Sequence, residues 1–423
     1  MRSFPDAILI LFTTSYPYDF TAEHAFISPE IRRLGKHFDR IILVPRMSKG
    51  KQLPLPAGVE VDVRYAEALR ANTSLRRMLA LAFRSRPFLS EIRTHPGLLF
   101  SPAKLLKLIL FSARAELIRS WVKRRLESER LDIHSCVLYS YWFDHTPTGL
   151  AMLRREFPEI KLVSRAHGYD IYEQYYFPHY WPYRRETLGL MDAVFVASDA
   201  GRDYFRERYP EYSSKFETAH LGIEDPGFVT APSTDGIFRI VSCSYIVPVK
   251  RLDLLLDGIA TSARLRPGQK FEWVHFGDGK GKGSLERRIT RSFPSNVQSR
   301  LPGYVPNSEI MQYYRDHPVD VFVNVSKTEG GAPVSIQEAI SCGIPVVATA
   351  VGGNPEIVSE KNGILLGANP TPEEIAAALL KIWDNPALSA SLRTGSRQVW
   401  ETGYNAETNF RAFAERLKSI GES

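Results

Sequence analysis

The sequence predicts an α/β protein of two domains, each built on a doubly wound parallel sheet. Three observations support this. With 423 residues the chain exceeds one ordinary hydrophobic core. Short β-branched or aliphatic runs alternate with longer amphipathic segments in both halves. Around residues 224–236 the alternation gives way to turn residues, which marks a domain boundary.

The first domain is predicted over residues 1–230. Segments 28–38 and 146–157 have helical spacing and separate runs that read as strands. The candidate strands are residues 7–12, 41–45, 59–63, 137–141, 161–164 and 193–198.

The second domain is predicted over residues 231–400. Residues 401–423 are expected to form a C-terminal helix that returns to the first domain. Because ligands of open parallel sheets bind at the carboxyl ends of the strands, we expect the two domains to face a central cleft. The candidate strands are residues 239–243, 272–276, 320–325, 345–350 and 363–366.

Positive charge is concentrated in one region of the first domain. Residues 64–130 carry a balance of +10, which leaves −3 for the rest of a chain whose net charge is +7. Within it, residues 70–125 are predicted to be a basic helical insertion. Two apolar stripes run side by side there, formed by Leu106, Ile109, Leu110, Ala113, Leu117 and Trp121, and by Leu108, Phe111, Ile118 and Val122. The segment is either a helix packed between neighbours or a helix on an anionic membrane, with Lys123, Arg124 and Arg125 meeting lipid phosphates.

Composition excludes several other classes. Three scattered cysteines form neither a disulfide framework nor a zinc site, and indicate a reducing compartment. No apolar run reaches the ~18 residues of a membrane span, and the run at 7–12 is too short for a secretory leader. No basic stripe is interleaved with stacking aromatics, so no nucleic-acid partner is expected. We therefore predict a cytoplasmic protein.

The chemistry is concentrated in residues 320–353. A buried strand ends near Val325, and a loop with Glu329, Gly330 and Gly331 leads into a helix that starts near Pro333. Free N–H groups at such a helix start suit a diphosphate. Glu338, one to two turns into the helix, could accept hydrogen bonds from the vicinal hydroxyls of a ribose.

The order of these features resembles glycosyltransferase family 4, retaining enzymes of the GT-B fold with two Rossmann-like domains. The second glutamate is followed by Gly-Ile-Pro-Val-Val-Ala at 343–348 and Val-Gly-Gly at 351–353. The segments Arg-Ala-His-Gly-Tyr-Asp at 165–170, Pro-Val-Lys-Arg at 248–251 and Gly-Tyr-Val at 303–305 are similar to the branch that builds exopolysaccharide, capsule and O-antigen.

The resemblance implies a hexosyltransferase that uses a nucleoside-diphosphate sugar, with no further cofactor, and a glycan acceptor that is lipid-linked at the inner face of the cytoplasmic membrane. It implies catalytic roles for three residues: His167 beside the donor sugar, Lys250 on the diphosphate and Glu329 on the transferred sugar. Further donor-binding positions are Arg251, Gly303, Tyr304, Gly330, Gly331, Ala332, Pro333, Val334 and Glu338.

Each role has a structural alternative. Lys250 could be a solvated lysine at a helix start, Glu338 a surface glutamate and Glu329 an exposed loop acid. His167 could be structural, and Tyr304 an ordinary core aromatic.

Two features depart from the family pattern. Eight residues separate Glu329 from Glu338, where the family has seven, which leaves open how far Glu329 reaches. Tyr245 stands where the family often has a phosphate-site arginine, so either Arg251 substitutes for it or Lys250 acts alone.

The absence of an Asp-x-Asp triplet predicts that no metal holds the diphosphate. Two other functions stay open at this stage. A sugar-nucleotide epimerase of the same fold would need extra acid–base groups, for which Asp170 or Glu173 are candidates. A non-catalytic binding subunit would bind no nucleotide.

Overall fold

The computed structural model describes residues 7–21, 23–85, 87–129 and 131–423. The chain divides into two compact units. Unit 1 comprises Met1–Ala219 and Phe410–Ser423, and unit 2 comprises His220–Asn409. The turn-rich stretch at 224–236, where the composition suggested the boundary, lies inside unit 2 ahead of its first strand.

Within the described residues, unit 1 contains a seven-stranded parallel sheet of order β3-β2-β1-β4-β5-β6-β7. The strands are rich in Val, Ile and Leu and are covered on both faces, as buried parallel strands are. They are β1 Ile8–Thr13, β2 Arg40–Pro45, β3 Val59–Val61, β4 Cys136–Ser140, β5 Lys161–Ala166, β6 Ala193–Val196 and β7 Phe216–Thr218.

Helices lie on both faces of this sheet. Alternate residues of β1 enter opposite cores, with Ile8 and Ile10 on one side and Leu9 and Leu11 on the other. The helices before the chain enters unit 2 are α1 His24–Leu34, α2 Arg64–Ala71, α3 Leu75–Arg84, α4 Pro87–Thr94, α5 Pro102–Glu129, α6 His145–Arg154, α7 Arg184–Leu190 and α8 Asp199–Arg208.

Helix α5 is the main element of the predicted insertion. Gly149 of α6 lets the two helices approach closely, since an added Cβ there would lie 2.3 Å from the Ala115 carbonyl oxygen. Buried Arg125 forms ion pairs with Asp62 and Glu129, and Lys123 pairs with Glu156 at 2.6 Å. The expectation that Arg125 meets lipid phosphates is therefore wrong, because it is buried and paired with carboxylates. For the exposed Arg124 and the partly exposed Lys123 it stays a prediction.

In the part of the chain that the structure describes, unit 2 contains a six-stranded parallel sheet of order β10-β9-β8-β11-β12-β13. Its strands are β8 Ile237–Cys243, β9 Lys270–Phe276, β10 Val297–Gly303, β11 Val321–Asn324, β12 Val346–Thr349 and β13 Gly363–Leu366. Its helices are α9 Leu252–Leu265, α10 Lys282–Ser292, α11 Asn307–Asp316, α12 Val334–Ser341, α13 Asn354–Ile357, α14 Pro372–Trp383 and α15 Pro386–Val399. The doubly wound arrangement predicted for both halves is confirmed.

Two strands were not predicted, and both lie at sheet edges. The strand β7 has only three residues. The strand β10 alternates half-buried and exposed positions and includes Pro302, features that are tolerated at an edge but weaken the sequence signal.

The last helix, α16 Ala406–Glu422, follows the π-helical segment Trp400–Tyr404. From Phe410 onward it belongs to unit 1. There Phe413 packs edge-on against Tyr139 and Phe195, and the buried guanidinium of Arg165 lies 4.0 Å from its ring centroid. Among the described residues no helix combines the length and apolarity that a bilayer crossing needs.

Candidate functional site

Most of the predicted site residues lie in unit 2, in loops at one edge of its sheet. All described pairs of its strands are parallel, so the carboxyl ends of the strands share this edge. The loops that follow β8, β10, β11 and β12 carry Lys250, Tyr304, Glu329 and Gly352 respectively. The fold thus places on one edge residues that are far apart in the sequence.

Lys250 and Glu329 form an ion pair. Lys250 ends the 3₁₀ turn Pro248–Lys250, and its Nζ lies 2.5 Å from Oε1 of Glu329. Asn324 Nδ2 donates to the same oxygen at 3.1 Å. The two ionic side chains are 22% and 11% exposed, so neither is the freely solvated group of the structural alternative.

Arg251 has a different role from Lys250. Its backbone is left-handed, with φ of 49°, at the start of α9. Its guanidinium donates to the carbonyl oxygens of Val325, Ser326 and Ala368 and to Oδ1 of Asn369. Four of its five N–H groups are thus engaged, and the side chain fastens the loop after β11. Lys250, with its single ion-pair partner, has a side chain that can exchange partners.

The loop after β12, which contains Gly352 and Gly353, packs against the loop of residues 329–332 by direct backbone contact. A Cβ on Gly352 would lie 1.9 Å from the Glu329 carbonyl oxygen, and one on Gly353 would lie 2.3 Å from the carbonyl carbon of Gly331. Any side chain at 352 or 353 would push the loop of residues 329–332 away. The sequence Val-Gly-Gly is therefore required by close approach.

Helix α12 begins directly after this loop. Pro333 is its N-cap, Val334 is its first residue, and Ala332 is buried below. The N–H groups of Gly330, Gly331 and Val334 donate to no acceptor among the described residues. Free donors at a helix start suit an anion.

Glu338 lies on α12 and is buried. Asn307 Nδ2, at the start of α11, donates to its Oε1 at 2.6 Å. Burial raises the pKa of Glu338 to about 8, because a single neutral hydrogen bond does not replace the lost solvation of the carboxylate. The surface-glutamate alternative is wrong, since only 6% of the residue is exposed.

Gly303 ends β10, and Tyr304 follows it. Gly303 has a φ of 86°, and its carbonyl oxygen accepts a bond from the Gly277 N–H. Tyr304 is 64% exposed, so it is not the core aromatic of the structural alternative. Its ring is available to stack on a flat ligand.

His167 lies in unit 1, directly after β5. Its ring packs between Tyr141 and Trp142, with centroids 4.8 and 4.6 Å away, and its Nε2 lies 3.1 Å from the Tyr141 carbonyl oxygen. Loss of solvation lowers its pKa to about 3. The imidazole is therefore neutral at physiological pH, and Nε2 carries the proton, which leaves Nδ1 as an acceptor.

The acids considered for an epimerase are already bound. Asp170 is fully buried and accepts bonds from the N–H groups of Phe143, His167 and Gly168. Glu173 forms an ion pair with Arg208. Neither is a free acid–base group.

Two asparagines that hold the glutamates were not predicted. Asn307 supports Glu338 and Asn324 supports Glu329. Asn307 follows a proline at a helix start and Asn324 ends a buried strand, signals that indicate only local structure.

Residues 238–385 match the family model described as Glycosyl transferases group 1. The protein of Escherichia coli named putative colanic acid biosynthesis glycosyltransferase WcaL is 28% identical over 62% of this chain and 64% of its own length. The amylovoran biosynthesis glycosyltransferase AmsK of Erwinia amylovora is 24% identical over 49% of this chain and 52% of its own length. The chain thus spans less than two thirds of these relatives, and the resemblance to exopolysaccharide glycosyltransferases is confirmed.

Among solved structures, Anabaena Alr3699/HepE in complex with UDP superposes with a TM-score of 0.64 at 18% identity, covering 97% of this chain and 99% of that one. The lipopolysaccharide outer core galactosyltransferase WaaB gives a TM-score of 0.65 at 13% identity, over 97% and 99% of the two chains. The fold is GT-B.

Replacing Glu338 should flatten the pH dependence of stability. The folded pKa of about 8 exceeds the ordinary value of 4.5, so the stability contributed by the protonated carboxyl is complete below pH 4.5 and is lost as the pH rises through 8. Between pH 5 and pH 9 we expect Glu338→Gln to gain stability relative to wild type, on the order of 3 kcal/mol. Urea unfolding at both pH values measures this.

Glu360→Gln removes an exposed carboxylate of the same type and serves as the control. Indistinguishable pH profiles for wild type and Glu338→Gln would show that the buried carboxyl does not titrate as described.

Proposed function

We propose that this protein is a retaining hexosyltransferase that moves a sugar from a nucleoside-diphosphate donor to a glycan acceptor in cell-surface polysaccharide biosynthesis. The observation that carries the proposal is the convergence of Lys250, Glu329, Glu338 and the free N–H groups ahead of α12 on one sheet edge of unit 2. A diphosphate, a ribose and a sugar each find a matching group there. The names and ligands of the relatives support this, since HepE was solved with UDP.

In this proposal the donor's diphosphate lies against the start of α12 and replaces Glu329 as the partner of Lys250. Lys250 then turns its charge to phosphate, and Glu329 is released to accept a hydrogen bond from a hydroxyl of the transferred sugar. The exchange trades one charge-assisted contact for two, and it occurs only when both phosphate and sugar are present.

Glu338 would bind the ribose. Two ribose hydroxyls that donate to its carboxylate would favour the charged form, lower its pKa from about 8 and release a proton on binding. Tyr304 would stack on the nucleobase, and Gly303 would leave room beside it. These assignments fit any common nucleotide.

The reaction needs one displacement with retention. The acceptor hydroxyl attacks the anomeric carbon from the face that the diphosphate leaves, and the hydroxyl proton passes to a phosphate oxygen. The leaving diphosphate gains negative charge, which Lys250 and the N-terminus of α12 stabilise. This reaction does not need the pair of opposed carboxylates that glycosidases use. For His167 a catalytic role stays a prediction, and its neutral ring offers Nδ1 as an acceptor for a sugar hydroxyl.

We further propose that the protein acts in the cytoplasm, at the inner face of the cytoplasmic membrane, on a lipid-linked acceptor. The supporting surface lies at the start of the insertion. There Phe83, Leu99 and Phe100 are 65%, 58% and 89% exposed. Four arginines nearby are exposed as well: Arg76, Arg77, Arg84 and Arg93. The sequence from 75 to 107 has a single acidic residue, Glu91, and it is buried. Apolar side chains among cations fit an anionic bilayer surface.

Lys250→Ala should lower turnover more than it weakens donor binding. Negative charge on the diphosphate grows towards the transition state, so the loss falls mainly on kcat, by about 10²-fold. Release of nucleoside diphosphate from UDP- and GDP-sugars measures kcat and KM, and calorimetry with UDP and GDP measures binding. Lys361→Ala, an exposed lysine that precedes β13 at the opposite edge, is the matched control. A raised KM with unchanged kcat would make Lys250 a ground-state clamp instead.

Activity should survive chelation. If Lys250 and the helix start supply the positive charge, 5–10 mM EDTA, an excess of about a hundredfold or more over adventitious metal, should leave the rate of nucleotide release unchanged. Loss of activity in EDTA that is restored by added magnesium or manganese would show that a metal supplies the charge.

Binding to vesicles should require both the apolar side chains and anionic lipid. We expect flotation with phosphatidylglycerol-containing vesicles at low salt, and at least about a tenfold loss of binding in Leu99→Ser/Phe100→Ser. The control Val229→Ser/Leu265→Ser removes two exposed apolar side chains of unit 2. Equal flotation with neutral vesicles, or no loss in the first variant, would contradict the proposal.

A further inference from the structure

Two ionic side chains of the loop after β9 lie beside Gly303. This loop has the sequence Gly-Asp-Gly-Lys-Gly-Lys at 277–282 and leads into α10. A Cβ on Gly303 would lie 3.2 Å from Nζ of Lys282 and 3.8 Å from Oδ2 of Asp278. An ammonium and a carboxylate therefore end beside the same face of Gly303, at the carboxyl edge of the unit 2 sheet.

Backbone contacts hold the loop after β9 in one position. The N–H of Gly277 donates to the Gly303 carbonyl oxygen at 2.8 Å. The N–H of Ile246 donates to the Asp278 carbonyl oxygen at 2.9 Å. Glycine is required at 277, because a Cβ there would lie 1.9 Å from the Ser244 carbonyl oxygen. The two ionic side chains thus extend from a fixed backbone.

Neither charge is neutralised by an ion pair within the described residues. Oδ1 of Asp278 accepts a bond from the Gly279 N–H at 2.7 Å, which leaves Oδ2 for another donor. Lys282 is half-buried and is the first residue of α10, whose first turn contains no acid. A cation at a helix N-terminus is electrostatically unfavourable. Local structure therefore disfavours a lysine at this position, which points to a ligand.

A short segment connects Gly303 to the acid proposed for the ribose. Asn307, four residues after Gly303, donates to Oε1 of Glu338 at 2.6 Å. Because a nucleobase is bonded directly to its ribose, a ribose at Glu338 places the base beside residues 303–306. Tyr304 offers an exposed ring there for stacking. The edge of the stacked base then faces the ammonium and the carboxylate.

These two charges match the edge of guanine better than that of the other common bases. Guanine presents two adjacent acceptors, O6 and N7, and lysine can donate to both. The next two positions, N1–H and N2–H, are donors, and one carboxylate can accept from both. Adenine has an amino group in place of O6, which an ammonium cannot bind. Uracil has a single ring N–H between two carbonyl groups.

We propose that the donor is a guanosine-diphosphate sugar, recognised by Lys282 at O6 and N7 and by Asp278 at N1–H and N2–H. Both residues determine base specificity and take no part in sugar transfer. The inference rests on the proposed function and names the nucleotide of its donor.

Calorimetry on the full chain with five nucleotides tests this assignment. GDP should bind at least about tenfold more tightly than UDP or ADP. Inosine diphosphate lacks the 2-amino group, and 7-deaza-GDP lacks the N7 acceptor. Each should bind more weakly than GDP, because each has lost one of the four recognised positions.

Two variants assign these losses to residues. Asp278→Ala should weaken GDP binding at least about tenfold and abolish the preference for GDP over inosine diphosphate. Lys282→Met should do the same for the preference for GDP over 7-deaza-GDP. A merely structural disturbance would weaken all five nucleotides alike, so these preferences are the decisive measurement.

Asp316→Ala and Lys270→Met are the matched controls. They remove an exposed charge of each sign, at the end of α11 and at the start of β9, and should bind as wild type does. Melting curves check that each variant is folded. Wild type that binds UDP more tightly than GDP overturns the assignment. Preferences that are unchanged in both variants overturn it as well.

The base assignment and the proposed function fail in different ways. If wild type binds UDP or ADP as tightly as GDP, only the guanine assignment fails and a nucleotide donor is retained. If wild type binds none of the five nucleotides, the proposed function itself fails.

Discussion

The candidate site depends on backbone packing between two loops at the carboxyl edge of the unit 2 sheet. The glycines at 352 and 353 have no room for a Cβ, because the chain from Glu329 to Ala332 lies directly against them. That contact fixes the position of the loop of residues 329–332 and therefore the direction in which α12 begins. The direction of the free N–H groups ahead of α12, the position of Glu338 and the reach of Glu329 all follow from it.

Charges at this edge are divided between fixed and exchangeable roles. Arg251 and Lys250 are neighbours in the sequence, yet the guanidinium is bound by four oxygens of the scaffold while the ammonium has one ion-pair partner. An arginine fork that is filled by carbonyl groups holds a loop in place at little cost, since carbonyls bring no opposing charge. A lysine on a flexible stem can move from Glu329 to an incoming anion. Before donor binds, the ion pair with Glu329 also balances the partly buried charge of Lys250.

Much of this arrangement could be predicted from local sequence, and the rest depends on contacts between distant residues. The strands β8 and β12 are marked by buried Val and Ile, and the glycines mark loops. The partner of Glu338 could not be predicted, because Asn307 begins a different helix 31 residues earlier. How far Glu329 reaches with the extra residue between the glutamates shows only in the structure, where it faces Lys250 from 79 residues away. Whether Tyr304 is core or surface depends on β10 being an edge strand, which the alternating, proline-containing sequence concealed.

Helix α5 explains why the basic segment gave two conflicting interpretations. Its C-terminal half is a packed helix: Ile118 and Val122 enter the core, and Lys123 and Arg125 are neutralised by carboxylates. In its N-terminal half, Lys107 and Arg114 form no ion pair with the described residues and lie near exposed Leu106. One helix therefore carries two apolar faces, because different neighbours cover its two halves. The local balance of +10 overstates the charge that is open to a ligand, since ion pairs take up several cations at the C-terminal end of the helix.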